Sequence, residues 1–272
     1  MQIQIFQVDS FTTKPFKGNP AGVCLLDAPK DEAWMQSVAA EMNLSETAFL
    51  CPKKDGYHLR WFTPKTEVRL CGHATLASAH ILYEFGYYEE SETIEFYTLS
   101  GTLTSSFDNG TILLDFPRLE PTVIETPQVL IEALGQIPLS TVVSGGTHVL
   151  AELENESLVR NFDPDFEKIS KLPQGEVMIT AKAEPGKYDF VSRFFAPQLG
   201  INEDPVTGSA HCLLGPYWAE KLGKTEFHAF QASPRGGDVY VRLKGDRVVI
   251  GGKAVTIFRA PRGDGRTPRH RA

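Results

Sequence analysis

Four side chains in this sequence, Glu46, His73, Asp204 and Ser209, are of types that take, hold or polarise a proton. Glu46 lies in Leu44-Ser45-Glu46-Thr47-Ala48-Phe49-Leu50, where it alternates with Leu44, Ala48 and Leu50. A strand here turns all four the same way. A carboxyl among apolar neighbours resists ionising, and its pKa is expected to rise toward the range of a base working at neutral pH. The alternative is an edge strand with Glu46 in water. His73 follows Gly72, Ser209 follows Gly208, and Asp204 stands four residues before Gly208. An aspartate at a helix entry commonly serves only as a cap, and many histidines merely satisfy a local hydrogen bond.

Both glycines are expected where a turn meets a helix. The first N–H groups of a helix have no internal partner, and the macrodipole adds roughly half a positive charge there. Glycine lets a ligand approach the backbone closely. Two such helix starts facing each other across a domain cleft would bind a carboxylate without an arginine. The plainer reading is that each glycine only serves its turn.

The elements that must position these groups are written twice. Arg60-Trp61-Phe62-Thr63-Pro64, then Gly72-His73-Ala74, then an apolar stretch ending at Gly86 form the first set. Arg193-Phe194-Phe195-Ala196-Pro197, then Gly208-Ser209-Ala210, then a stretch ending at Gly223 form the second, with separations differing by three residues and one residue. Asn19-Pro20-Ala21-Gly22-Val23-Cys24 has a looser echo from Gly145 to Leu150. An internal duplication of this length predicts two similarly folded domains, not a solenoid of shorter repeats. Aligned through Arg-x-Phe-x-Pro, the second half offers Val177 and Met178 near the place of Glu46, so Glu46 is expected to break the pseudosymmetry.

Strands are expected at 2–8, 22–26, 46–51, 57–62, 92–99, 147–153, 177–182, 188–195, 238–244, 247–251 and 253–259. A hairpin joins 101–107 to 111–116 through Asp108-Asn109-Gly110, because Asn-Gly accepts positive φ. A helix from Asp31 to Met42 stacks Trp34, Val38 and Met42. Pro117 and Pro121 mark the linker. The expectation is an α+β protein with one prominent helix per half, domains at 1–117 and 118–258, and 259–272 rejoining the first.

At 272 residues, 42% apolar and 22% charged, the chain suits two soluble domains. A net charge of −7 argues against nucleic acid as a partner. Only Arg262–Arg271 is locally basic, and a solvated end is expected there. The opening strand lacks the cationic start of a targeting peptide, and no apolar run nears the roughly 18 residues a membrane span needs. Cys24, Cys51, Cys71 and Cys212 form no C-x-x-C, so neither a metal site nor a disulfide frame is expected, and a cytoplasmic location with reduced thiols is.

The motifs together resemble the phenazine-biosynthesis isomerase family, whose fold is similar to that of diaminopimelate epimerase. They are Val8-Asp9-Ser10-Phe11, Gly18-Asn19-Pro20-Ala21-Gly22, Asn43-Leu44-Ser45-Glu46-Thr47, Arg60-Trp61-Phe62-Thr63-Pro64, Leu70-Cys71-Gly72-His73-Ala74-Thr75 and Asp204-Pro205-Val206-Thr207-Gly208-Ser209-Ala210-His211. The resemblance implies two domains, each a sheet wrapped around a central helix, with a site in the cleft between them. It implies a homodimer, no metal and no organic cofactor. It further implies that Glu46 takes a proton from one carbon and aids its delivery to another, while Asp204 and His73 hold and polarise the substrate. Ser209 helps hold the substrate, the amides at Gly72 and Gly208 grip its carboxylate, and Asn19 and Ser45 add contacts. Epimerase relatives use two cysteines; here Cys71 precedes the first glycine, but Val206 and Thr207 occupy the region of the second thiol. Two-thiol racemisation is therefore disfavoured, and Cys71 is expected to be a buried structural thiol. A binding or regulatory protein on the same scaffold is the reading from another class. A hydrolase is weaker still, because no G-x-S-x-G elbow occurs.

Overall fold

The computed structural model describes residues 3–135, 139–145, 148–173 and 175–260. The basic tail and two residues of the looser echo, Gly146 and Thr147, lie outside these. The chain divides into two compact units, Met1–Asp115 with Gly251–Ala272, and Phe116–Ile250.

The first unit runs β1 (Gln4–Ser10), β2 (Asn19–Leu25), α1 (Glu32–Met42), β3 (Glu46–Lys53), β4 (Gly56–Phe62) and β5 (Glu67–Val68). It continues with α2 (Gly72–Glu84), β6 (Ile94–Thr98), β7 (Gly101–Asp108) and β8 (Thr111–Pro117), within which the second unit begins. There follow β9 (Thr122–Val123), α3 (Gln128–Ala133), β10 (Leu139–Gly145), β11 (His148–Leu153), α4 (Glu156–Asn161) and α5 (Phe166–Ile169). Then come β12 (Glu176–Lys182), β13 (Phe190–Ala196), β14 (Ile201–Asp204), α6 (His211–Leu222), β15 (Glu226–Gln231) and β16 (Gly237–Lys244). β17 (Arg247–Gly252) leads back to the first unit, and β18 (Ala254–Ala260) ends the described chain. The return comes near residue 251, earlier than the expected 259, because β18 pairs with β1 from Ile5 to Ser10.

The two units share one pairing scheme. In the first, β1 and β2 are antiparallel, β2 and β3 parallel, β3 and β4 antiparallel, β4 and β6 parallel, and β6 and β7 antiparallel. In the second, β10, β11, β12, β13, β15 and β16 repeat that order and those directions. The two-residue β5 adds to β4 as β14 adds to β13.

Each unit keeps a long, largely buried helix against its sheet. α2 packs on β1, β2, β3 and β18, and nearly every residue of it is buried. Its two buried hydroxyls bond back to carbonyls one turn earlier, Thr75 to Cys71 at 2.6 Å and Ser78 to Ala74 at 2.7 Å. In the second unit α6 is buried from His211 to Trp218, and the Trp218 indole donates to Thr180 on β12 at 3.0 Å. Pro216 removes the amide that would reach the Cys212 carbonyl, and the Leu119 amide takes that place at 3.0 Å. The opposite face of β12 (Val177, Ile179, Ala181) packs in a core with α3, α4 and α5.

Local rules account for most boundaries. Asp31 caps α1 by accepting from the Trp34 amide at 2.8 Å, and Asn43 ends it in the left-handed region. Asn109 and Gly110, both at positive φ, join Asp108 to Thr111 as expected. The sequence reading missed β5, β9, β10, β14 and β15 and began β2 three residues late. β5, β9 and β14 are too short for periodicity to reveal. β15 does alternate, with Phe227, Ala229 and Gln231 buried and Glu226 and His228 exposed, and was legible in principle.

Candidate active site

The site is built from the strand pairings upward. Gly18, at φ +65°, brings the chain into β2, and a Cβ there would lie 2.0 Å from the Ser10 carbonyl oxygen. Asn19 is thereby placed opposite Ser10, fully buried at the first position of β2. Gly22 allows Thr47 of β3 to close on β2, since a Cβ at Gly22 would meet the Thr47 hydroxyl at 2.8 Å. Ser45 lies in the bend before β3, and Glu46 opens β3 opposite Ala21. β3 has β2 on one side and β4 on the other, so Glu46 is not on an edge strand; it is 9% exposed.

α2 starts beside it. Cys71 is the N-cap, Gly72 the first helical residue and His73 the second. The Ser10 hydroxyl donates to the His73 carbonyl oxygen at 2.8 Å and fixes this first turn against β1. The imidazole is buried, with Nε2 3.2 Å from a Glu46 carboxylate oxygen and Nδ1 3.5 Å from the Cys71 sulfur. Glu46, His73 and Cys71 thus form one contiguous row. Among the described residues these three are the one group whose donor atoms, all within 4.8 Å of one another, could hold a metal ion. Cys71 is buried, as expected, and its sulfur lies beside the His73 ring.

The second unit builds its counterpart differently. Asp204 ends β14 opposite Phe194, is 9% exposed, and accepts a hydrogen bond from the Thr207 hydroxyl. Gly208 is not the start of a helix, which corrects the expectation. Residues 208–210 form a turn with i→i+3 bonds, His211 to Gly208 and Cys212 to Ser209, both 3.0 Å, and α6 begins at His211. Ser209 sits half-buried in that turn. The sequence reading also missed Gln231, which holds the loop together. Its amide oxygen accepts from the Thr207 amide at 2.8 Å, and its nitrogen donates to the Asp204 carbonyl at 2.8 Å. His211 is fully buried, with Nδ1 2.9 Å from the Thr207 carbonyl and its pKa lowered by burial to about 4.

Strand register overturns one inference about symmetry. Glu46 faces Ala21 and lies three residues before Phe49, which faces Arg60. Glu176 faces His148 and lies three residues before Ile179, which faces Arg193. Glu46 therefore has a counterpart, Glu176, whose carboxylate pairs with His148 at 2.5 Å. The connection between β12 and β13 carries extra residues, and an ungapped alignment through Arg-x-Phe-x-Pro slips past Glu176. The acidic residue without a match is Asp204: it faces Phe194, while Val68 faces the equivalent Trp61.

The repeated arginines prove to be anchors. Arg60 grips Glu67 of β5 at 2.6 and 2.7 Å, and Arg193 grips Glu203 of β14 at 2.7 and 2.8 Å. Each bidentate pair fixes the short strand that delivers the loop to Gly72 or Gly208.

A duplicated α+β unit with one long helix held against a mixed sheet is the fold of the epimerase-like isomerases. The chain matches the family described as Phenazine biosynthesis-like protein over residues 8–260, and it belongs to that family. An uncharacterized isomerase of Halalkalibacterium halodurans is 51% identical over 261 residues, covering 96% of this chain and 98% of the relative. A crystal structure of a phenazine biosynthesis protein of the PhzF family from Enterococcus faecalis superposes with TM-score 0.91 at 42% identity, over 95% of this chain and 98% of that one. At 15% identity a probable proline racemase from Agrobacterium radiobacter shares the fold, with TM-score 0.63 over 95% of this chain and 92% of that one.

Proposed function

We propose that this protein is a cofactor-independent isomerase that moves a proton between two atoms of a small carboxylate-bearing metabolite. The observation that carries the reading is the buried contact between the Glu46 carboxylate and the His73 imidazole at the first turn of α2. In this scheme the substrate carboxylate is held by backbone N–H groups at Gly72 and in the Gly208 turn. Asn19, Ser45 and Ser209 add contacts. Glu46 takes a proton from carbon and becomes a neutral acid. The negative charge left on the substrate is enolate-like and is stabilised by the fixed dipoles around it. Glu46 then returns the same proton to a second atom, with His73 and Asp204 steering its delivery. A positioned base of this kind contributes on the order of 10²–10⁴ in rate. Closure around the substrate would keep water from the intermediate, and the protein would act as a cytoplasmic homodimer.

Two-thiol racemisation is not favoured, because the position equivalent to Cys71, one before Gly208, holds Thr207, whose hydroxyl is bonded to Asp204. A protein that only binds anions is the remaining contrast. Incubation with a panel of small carboxylic acids in heavy water separates the two. The isomerase reading expects deuterium at a carbon position of one of them, dependent on enzyme. Tight binding of an acid with no exchange and no conversion would support the binder instead.

A further inference from the structure

We propose that Cys71, His73 and Glu46 form a binding site for one divalent cation of the zinc class, and that its occupancy switches the protein off. The donor set is one thiol, one imidazole and one carboxylate, with all donor atoms within 4.8 Å of one another. Zinc takes this mixture of sulfur, nitrogen and oxygen, and three protein ligands with a fourth position open is a coordination it commonly adopts. Thiolate and imidazole together disfavour magnesium and calcium, which select oxygen.

The backbone that carries the ligands is already fixed. Cys71 is held through its carbonyl, which accepts from the Thr75 amide at 3.2 Å and the Thr75 hydroxyl at 2.6 Å. His73 is held through its carbonyl by Ser10 at 2.8 Å, and β3 is seated against β2 by the close approach of Thr47 to Gly22. Only side-chain rotation is left to adjust. Edges of a zinc tetrahedron with sulfur and nitrogen corners are about 3.5 Å, from bond lengths of about 2.3 and 2.0 Å. The three ligand atoms lie within 4.8 Å of one another, so side-chain rotation has to draw them closer, because the 3.5 Å contact of Cys71 and the 3.2 Å contact of Glu46 are made to different nitrogens of the His73 ring. One ring nitrogen joins the ion and the other keeps its hydrogen. The Cys71 thiol releases its proton to solvent as the sulfur–metal bond forms. Thiolate and carboxylate then balance the charge of the cation. A bound ion occupies the lone pairs of Glu46 and His73, so neither can accept a proton. The switching rests on the isomerase reading; the binding does not.

The test uses the full chain, stripped of metal by a chelator and titrated with Co²⁺. The expected result is a thiolate-to-cobalt charge-transfer band that saturates at one ion per chain, is displaced by Zn²⁺, and is lost in Cys71→Ser. The band persists in Cys51→Ser, and apparent affinity falls by about tenfold or more in Glu46→Gln and His73→Gln. If Cys71→Ser does not fold, a Zn²⁺-dependent rise in the melting temperature of the unaltered chain, abolished in Glu46→Gln, serves instead. Absence of the band in the folded chain, or its survival in Cys71→Ser, overturns the site. Deuterium exchange read with and without Zn²⁺ separates the two claims. A band without exchange on any acid sinks the isomerase reading and leaves the site standing. Exchange that Zn²⁺ does not slow sinks the switch.

Discussion

His211 shows how a single side chain sets the limits of the second unit. Its Nδ1 lies 2.9 Å from the Thr207 carbonyl, so that nitrogen carries the hydrogen. Burial holds its folded pKa at about 4, against 6.5 for a free histidine. As pH falls from 6.5 toward 4, the unfolded chain takes up a proton that the folded chain refuses, and stability declines across that window. Above pH 6.5 the effect vanishes, and below about 4 it is constant. The shift corresponds to about 3 kcal/mol. Urea unfolding at pH 7 and pH 4 should show that much more loss in the natural chain than in His211→Asn. Equal losses would mean that His211 is protonated in the folded state. Two thiols follow the same rule: burial pushes Cys24 and Cys212 up to about 12 and leaves them inert at neutral pH.

The elements explain why the Arg-x-Phe-x-Pro motif occurs twice. Arg193 has a side chain 7% exposed, pairs with Glu203, and also donates to the Phe162 carbonyl at 2.5 Å. Arg193→Met strands a buried carboxylate and should cost about 3–5 kcal/mol in denaturant unfolding. Arg60→Met, at a side chain 32% exposed, should cost about 1 kcal/mol or less. Gly22→Ala drives a methyl group into Thr47 and pushes the start of β3 outward, for about 1–3 kcal/mol. Its larger effect should be on activity, since Glu46 adjoins Thr47, and a crystal structure of the variant would show the Glu46–His73 distance lengthened.

At the scale of the whole molecule, the identity of the two pairing schemes makes the duplication visible. β18 lies beside β1 along Ile5–Ser10, so a chain ended at Lys253 loses the pairing that covers its first strand. Such a chain should fail to fold, with the cooperative thermal transition absent; a sharp transition would show that β18 is dispensable. Much of this architecture was legible. The helix capped by Asp31, the Asn109-Gly110 hairpin and the spacing from Arg to Gly are local patterns with local causes. The position of Glu46 on an inner strand was not, because alternation fixes which way a side chain points but not which strands flank it. The match between Glu46 and Glu176 was hidden because equivalence in a sheet follows register, and register tolerates a longer turn where a linear alignment does not. Among the described residues no helix is long and apolar enough to cross a membrane.

The account stands or falls on Glu46 as the group that carries the proton. The direct measurement is the rate of deuterium uptake from heavy water into the carbon framework of an accepted acid, compared between the natural chain and Glu46→Gln. The amide keeps the size of the side chain but cannot take a proton at neutral pH. Uptake slowed by about 10²-fold or more, with the fold and the binding of the acid retained, is the predicted result. Uptake at the natural rate in Glu46→Gln would contradict it.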